Sequence, residues 1–67
     1  MKLTERQAEV VRLVADGLSN RQIALVLGVN EKTVRTHITD ALTRLGISQG
    51  NVRVRLARWV LFGGLGR

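Results

Sequence analysis

The side chains best suited to molecular recognition lie between positions 31 and 45, where polar and basic residues recur at helical spacing. At roughly 100 degrees per residue, one set of them falls within an arc of roughly 100 degrees. That set is Lys32, Arg35, Thr36, Thr39 and Thr43. Hydrogen-bonding groups and threonine methyls are what read base edges in a DNA major groove. A solvated face is the alternative, but it usually carries more Glu and Lys in alternating sign.

Catalytic and metal-binding chemistry finds little support in the composition. The chain has two serines, one histidine and no cysteine, which offer no nucleophile–base pair at credible spacing. His37 alone cannot build a metal site, and without cysteine there is neither a disulfide nor a thiolate ligand. We therefore expect no enzyme, no metal and no cofactor, and a core too small for a ligand pocket.

Two capped helices and a tight turn must position the polar stripe. Ser19-Asn20-Arg21-Gln22 has the pattern of a capping box, which predicts a helix over about 20–27. Gly28 supplies a positive φ for a sharp turn, and Asn30 is a good N-cap for a helix over about 31–45. The sequence therefore predicts a helix-turn-helix, whose second helix fits the major groove. The apolar face of that second helix is Val34, Ile38, Ala41 and Leu45.

Two further helices are expected outside this pair. Thr4-Glu5-Arg6-Gln7 is a second capping box and predicts a helix over about 5–16. The segment from Val52 to Arg55 alternates like a strand, but a four-residue strand without a partner is unstable. We predict a helix over about 52–62, and hence an all-α, four-helix domain without a wing.

The helix at 52–62 has more apolar surface than a small core can cover. One stripe suits the core, with Phe62 beside it: Val52, Leu56, Trp59 and Val60. The second stripe is expected to be exposed, and an exposed apolar stripe indicates a protein-interaction surface. This helix is therefore a possible dimer helix. Its residues are Val54, Ala57, Leu61 and Leu65.

The length and net charge of the chain limit the number of domains and the classes of partner. We expect residues 1–67 to form one domain near the lower size limit for folding on a single core. The net charge is +6, with four basic and three acidic residues in 1–30 and seven and two in 31–67. Such asymmetry fits nucleic acid, an anionic membrane or mere solubility. Because no signal peptide or membrane-length apolar run is present, we expect a cytoplasmic protein and no membrane partner.

An ordered series of motifs between Leu3 and Ile47 resembles the LuxR/GerE-type DNA-binding domain of bacterial transcription regulators. The motifs include Leu3-Thr4-x-Arg6, Ala15-x-Gly17-Leu18-Ser19-Asn20, Ile23-Ala24, Thr33-Val34-Arg35-x-His37 and Leu45-Gly46-Ile47. Sigma-factor promoter recognition is a weaker resemblance, which His37 and the Leu45-Gly46-Ile47 end disfavour. The LuxR/GerE resemblance implies four helices, of which the second and third read DNA, and dimers that often meet through the fourth.

Carried over position by position, the resemblance implies roles for individual side chains. Arg35, Thr36 and Thr39 would face the bases, although Arg35 has a phosphate contact as its alternative. A second set would contact the DNA backbone or support the helix: Asn20, Arg21, Lys32, Thr33, His37, Thr43 and Arg44. For Thr33 a phosphate contact or a helix-start cap is expected, and for His37 a structural hydrogen bond or a phosphate contact. Phosphate contact and simple solvation are equally open for Arg44, Arg53, Arg55 and Arg58.

Two functions from different classes follow. The first is a transcription regulator that binds double-stranded DNA at an inverted repeat as a homodimer. The second is a small interaction module that pairs with a larger regulator, and RNA polymerase is a further possible partner. Most family members carry an input domain before this module, so we expect either a stand-alone regulator or an excised domain.

Overall fold

Four α-helices account for most of the part of the chain described by the computed structural model, which comprises residues 3–47 and 50–64. They are α1 (Glu5–Ala15), α2 (Asn20–Leu27), α3 (Glu31–Leu45) and α4 (Val52–Leu61). Within those two ranges there is no strand. The predicted all-α architecture without a β-hairpin wing is confirmed for the described residues. The segment 52–55 is helical, as predicted. Two helices end one residue earlier than expected, with Asp16 and Phe62 as their C-caps.

Local side-chain hydrogen bonds determine where the first two helices begin. The Thr4 hydroxyl accepts from the backbone N–H of Gln7 at 3.1 Å, and Gln7 Oε1 accepts from the Thr4 N–H at 3.0 Å. Ser19 and Gln22 make the same reciprocal pair at 3.2 and 2.8 Å. Each pair satisfies two N–H groups that would otherwise lack intrahelical partners. Both predicted capping boxes are confirmed.

The turn between α2 and α3 is set by a glycine and an asparagine. Gly28 adopts the left-handed conformation at φ 70°, which costs little without a Cβ. The Val29 N–H then donates to the Ala24 carbonyl at 3.0 Å. Asn30 Oδ1 accepts from the Thr33 N–H at 2.8 Å and starts α3. The predicted helix-turn-helix connection is therefore present.

α1 lies at the centre of the packing and contacts all three other helices, and α2 also packs against α3. The buried apolar core draws on every helix and consists of Val10, Val11, Val14, Ile23, Ala24, Val34, Ile38, Ala41 and Leu56. Leu56 is fully buried, and α4 packs against α1. Over the described residues, every helix is too short or too polar to cross a membrane.

The predicted inward stripe of α4 is present, with one departure at its end. Leu56 is buried, while Val52, Trp59 and Val60 are half-buried, the last two packing against the core. Phe62, which was expected beside this stripe, is 86% exposed. Its backbone (φ −96°, ψ 23°) has left the helical conformation at the C-cap. The side chain therefore no longer follows the register of the helix.

Candidate nucleic-acid interface

α3 carries two opposite faces, as the sequence predicted. Val34, Ile38 and Ala41 are buried against the core. Every member of the polar stripe is exposed to solvent: Lys32, Arg35, Thr36, Thr39 and Thr43. Burial of the apolar face fixes the rotation of α3, so the stripe is presented outward on a rigid element.

Two threonines of this polar stripe already use their hydroxyl protons. Thr36 Oγ1 donates to the Lys32 carbonyl at 3.1 Å, and Thr43 Oγ1 donates to the Thr39 carbonyl at 3.0 Å. A hydroxyl that donates back to its own helix keeps its lone pairs as acceptors. Thr36 and Thr43 thus offer an acceptor and a methyl group to a ligand.

Thr33 and His37 lie at the border of the stripe, and both are half-buried. The cap expected of Thr33 is supplied instead by Asn30, whose side chain accepts from the Thr33 backbone N–H. A cap must precede the helix, whereas Thr33 already lies in the first turn of α3. Across residues 3–47 and 50–64, no group of His, Cys, Asp or Glu side chains is arranged to hold a metal ion.

The start of α2 is tied to α4 by an arginine whose role the sequence did not reveal. Arg53 Nη1 donates to Asn20 Oδ1 at 2.7 Å, and Arg53 Nη2 donates to the Leu18 carbonyl. Of the two alternatives open for Arg53, simple solvation is wrong, because its guanidinium is half-buried and hydrogen-bonded within the domain. Its partners lie 33 and 35 residues earlier, a separation at which no local pattern could reveal the contact.

Comparison with known proteins identifies the family. The model described as "Bacterial regulatory proteins, luxR family" matches residues 1–59. The chain belongs to this family. It is 48% identical over 60 residues to the nitrate/nitrite response regulator protein NarP of Escherichia coli K12, a match covering 90% of this chain and 26% of NarP. It is 41% identical over 46 residues to the transcriptional regulatory protein DegU of Brevibacillus brevis, which covers 69% of this chain and 20% of DegU.

These relatives are transcription regulators rather than enzymes, and the chain spans about a quarter or less of their length. The family predicted from the motif series is confirmed by the match over residues 1–59. The four-helix architecture is the one expected of a LuxR-type domain. The roles of single side chains are taken up below as proposals.

The outer surface of α4 in this luxR-family domain is apolar and basic. Val54 is 51% exposed and Leu61 is 75% exposed, as expected, while Ala57 is half-buried. Leu65, the fourth predicted member of this stripe, lies outside the described residues. The exposed arginines Arg55 and Arg58 lie on the same helix, which contains no acidic residue. Any partner of α4 must therefore accommodate positive charge.

Sequence reasoning did not single out a second exposed apolar pair, which lies on α2. Leu25 and Val26 are 76% and 61% exposed. The signal was available, because Ile23, Ala24 and Leu27 define the inward face of α2 and leave positions 25 and 26 outside. This pair gives the luxR-family domain exposed apolar surface on a helix other than α4.

Proposed function

We propose that this chain is a sequence-specific, double-stranded DNA-binding module of a bacterial transcription regulator, acting in the cytoplasm. The observation that carries the proposal is the outward polar stripe of α3, held opposite a buried face by the capped turn at Gly28–Asn30. A major groove admits one α-helix, and this exposed face has the dimensions and chemistry to enter it. Residues 1–67 would constitute a single domain.

Arg35, Thr36 and Thr39 are proposed to face the bases. The guanidinium of Arg35 is exposed and can donate two parallel hydrogen bonds to N7 and O6 of a guanine. Thr36 has donated its proton to the Lys32 carbonyl, so it can accept from an adenine or cytosine amino group or place its methyl on thymine. Thr39 is exposed one turn farther along the same face.

A second group is proposed to hold the phosphate backbone on either side of these bases. Arg21 and Lys32 are exposed basic residues in the first turns of α2 and α3, and cations there neutralise phosphates. The whole proposed set is Asn20, Arg21, Lys32, Thr33, His37, Thr43 and Arg44. Such contacts fix the register of α3 but carry no sequence information by themselves.

A homodimer through α4 is the proposed assembly on DNA. The exposed side chains of Val54 and Leu61 provide the apolar seam, with Ala57 between them and Leu65 as the fourth proposed member. Arg55 and Arg58 would bring like charges together in a free dimer, which weakens it. Phosphates on DNA offset that repulsion, so the dimer should tighten on an inverted repeat with half-sites about one helical turn apart.

A protein-interaction module is the second candidate, favoured by the exposure of Leu61 at 75% and Phe62 at 86%. A groove beside α4 is lined by Val54, Trp59 and Phe62 together with Arg55 and Arg58. A larger regulator, or RNA polymerase, that presents an apolar and acidic surface would complement it. Binding to that partner would then replace dimerisation with a second copy of this chain.

Sedimentation of the chain, alone and with a duplex that the chain itself has selected from a random pool, tests both candidates. We expect a two-to-one complex on an inverted repeat that weakens steeply between low and high salt. Self-association without DNA should instead strengthen with salt, because salt screens the arginines of α4. Failure to bind any duplex at low salt would overturn DNA binding and leave the interaction module as the function.

A further inference from the structure

The guanidinium of Arg53 links α4 to the beginning of α2 through two hydrogen bonds. Its Nη1 donates to Asn20 Oδ1 at 2.7 Å, and its Nη2 donates to the carbonyl of Leu18. These two acceptors flank Ser19, the N-cap of α2. Arg53 itself is half-buried, whereas Arg55 and Arg58 on the same helix are exposed. Arg53 is therefore the least exposed of these three arginines, and its guanidinium contacts the helix-turn-helix.

The chemistry of this contact determines how the Asn20 amide is oriented. A guanidinium has five N–H donors and no acceptor, so the amide atom that faces it must be oxygen. The Nδ2 group of Asn20 then keeps both of its donors for a partner outside the domain. Phosphate oxygens are acceptors, and Asn20 is half-exposed in the first turn of α2. A side chain held in this orientation is suited to a DNA phosphate.

We propose that Arg53 is a positioning residue for the DNA backbone contact of Asn20: it holds the Asn20 carbonyl so that Nδ2 donates to a phosphate. This inference rests on the proposed DNA-binding function and deepens it. Because Arg53 belongs to α4, it also joins the proposed dimer helix directly to the phosphate-binding end of α2. Arg53 contributes to DNA affinity without touching DNA.

Salt dependence separates this role from a direct phosphate contact. An arginine that neutralises a phosphate releases a counterion, and its loss lowers the salt slope of binding by about 1. A neutral amide that donates to phosphate releases none. Removal of Arg53 should therefore weaken binding with no larger change of slope than removal of Arg12, an exposed arginine on α1 that belongs to neither the proposed DNA surface nor the proposed dimer helix. Arg12→Ala is the matched control for loss of one positive charge.

The experiment measures the affinity of wild type, Arg53→Ala, Asn20→Ala, the double variant and Arg12→Ala for the selected duplex at four salt concentrations. After correction by Arg12→Ala, Arg53→Ala should lower affinity about ten- to a hundredfold, the loss expected for one hydrogen bond to a charged group. Asn20→Ala should lower it by the same factor, and the double variant by no more than either single one. Losses that multiply, or an extra fall of about 1 in the slope for Arg53→Ala, would overturn the proposal.

Two milder variants cover the case in which Arg53→Ala unfolds the domain. Arg53→Lys keeps the charge but lacks the two-pronged geometry, so it should lose affinity at an unchanged salt slope. Asn20→Asp keeps an acceptor for Arg53 but loses the Nδ2 donors, and should bind more weakly than Gln22→Glu, which adds the same charge two residues away. Wild-type affinity for Arg53→Lys, or equal binding by the two acidic variants, would refute the positioning role.

The same series separates this inference from the function on which it rests. A wild-type chain that binds no duplex contradicts the proposed function itself. A wild-type chain that binds, with Arg53 and Asn20 acting independently, contradicts only the positioning role. Urea unfolding of each variant establishes that the measured proteins are folded at the temperature of the binding experiment.

Discussion

Asn30 Oδ1 accepts a hydrogen bond from the backbone N–H of Thr33 at 2.8 Å, and this contact sets the first residue of α3. Immediately before it, Gly28 reverses the chain in the left-handed conformation. The rotation of α3 about its axis then depends on Val34, Ile38 and Ala41, which are buried. The first residue of α3 and the rotation of this helix together determine which of its side chains face outward. Asn30 therefore influences the proposed DNA-reading surface without belonging to it.

Removal of this cap should lower stability. Asn30→Ala leaves the Thr33 N–H without its side-chain acceptor, and we expect a loss of about 1 kcal/mol in the free energy of unfolding. Urea denaturation followed by circular dichroism measures it. Asn30→Ser, which retains an acceptor at the cap, should stay close to wild type. Equal losses for the alanine and serine variants would show that the cap hydrogen bond is not the cause.

Arg35 and Lys32 should differ in what they contribute to DNA binding. Arg35→Ala removes a donor pair suited to guanine, so preference among sequences should relax by about 1–3 kcal/mol at one base-pair position. Lys32→Ala removes a phosphate contact and should weaken binding to all duplexes while lowering the salt slope by about 1. Competition binding against a library of single-base variants distinguishes the two. A uniform loss for Arg35→Ala would contradict its base-reading role.

Leu61 should control pairing through α4, because it is 75% exposed on the proposed seam. Leu61→Lys places a further positive charge beside the arginines of this helix, and we expect self-association to be abolished. Leu25→Lys is the matched control, since Leu25 is 76% exposed on α2 and is not a member of the proposed seam. Sedimentation equilibrium measures the self-association of both variants. Unchanged association of the Leu61 variant would exclude α4 as the dimer helix.

Gly64 should be required for the position of the single tryptophan, Trp59. A Cβ built on Gly64 would lie 2.2 Å from Trp59 Cε2 and 2.6 Å from the Trp59 carbonyl oxygen. Gly64→Ala must therefore displace the indole or break the Gly64 N–H to Trp59 carbonyl hydrogen bond of 2.8 Å. We expect a shift of the tryptophan emission maximum toward that of a more solvated indole. An unchanged spectrum would mean that the indole does not pack on Gly64.

Most of the fold could be predicted because its helices are delimited by local signals. The Thr4–Gln7 and Ser19–Gln22 boxes each act over three residues, a distance at which sequence spacing translates directly into geometry. The outward stripe of α3 was also predictable, since a helix with one apolar face must bury it. The helix ends were harder to place, because Phe62 leaves the helical conformation only at the last turn.

Part of the candidate interface could not be predicted from local patterns. The sequence does not distinguish Arg53 from the other arginines of α4. Their charge alone predicts only that each contacts phosphate or solvent. Only the packing of α4 on α1 brings the Arg53 guanidinium to the start of α2. The α2 pair Leu25 and Val26 differs in this respect, because a helical wheel was sufficient to place it outside.

The sequence by itself determined the four helices, the side-chain caps at their starts, the turn at Gly28 and the polar face of α3, because each depends on residues within a few positions of one another. The tertiary structure decided which arginine of α4 turns inward and holds Asn20, and how far Val54, Leu61 and Phe62 remain exposed. Those outcomes depend on how helices far apart in sequence pack around α1. A contact across 33 residues is fixed by that packing and leaves no periodicity in the chain from which it could be read.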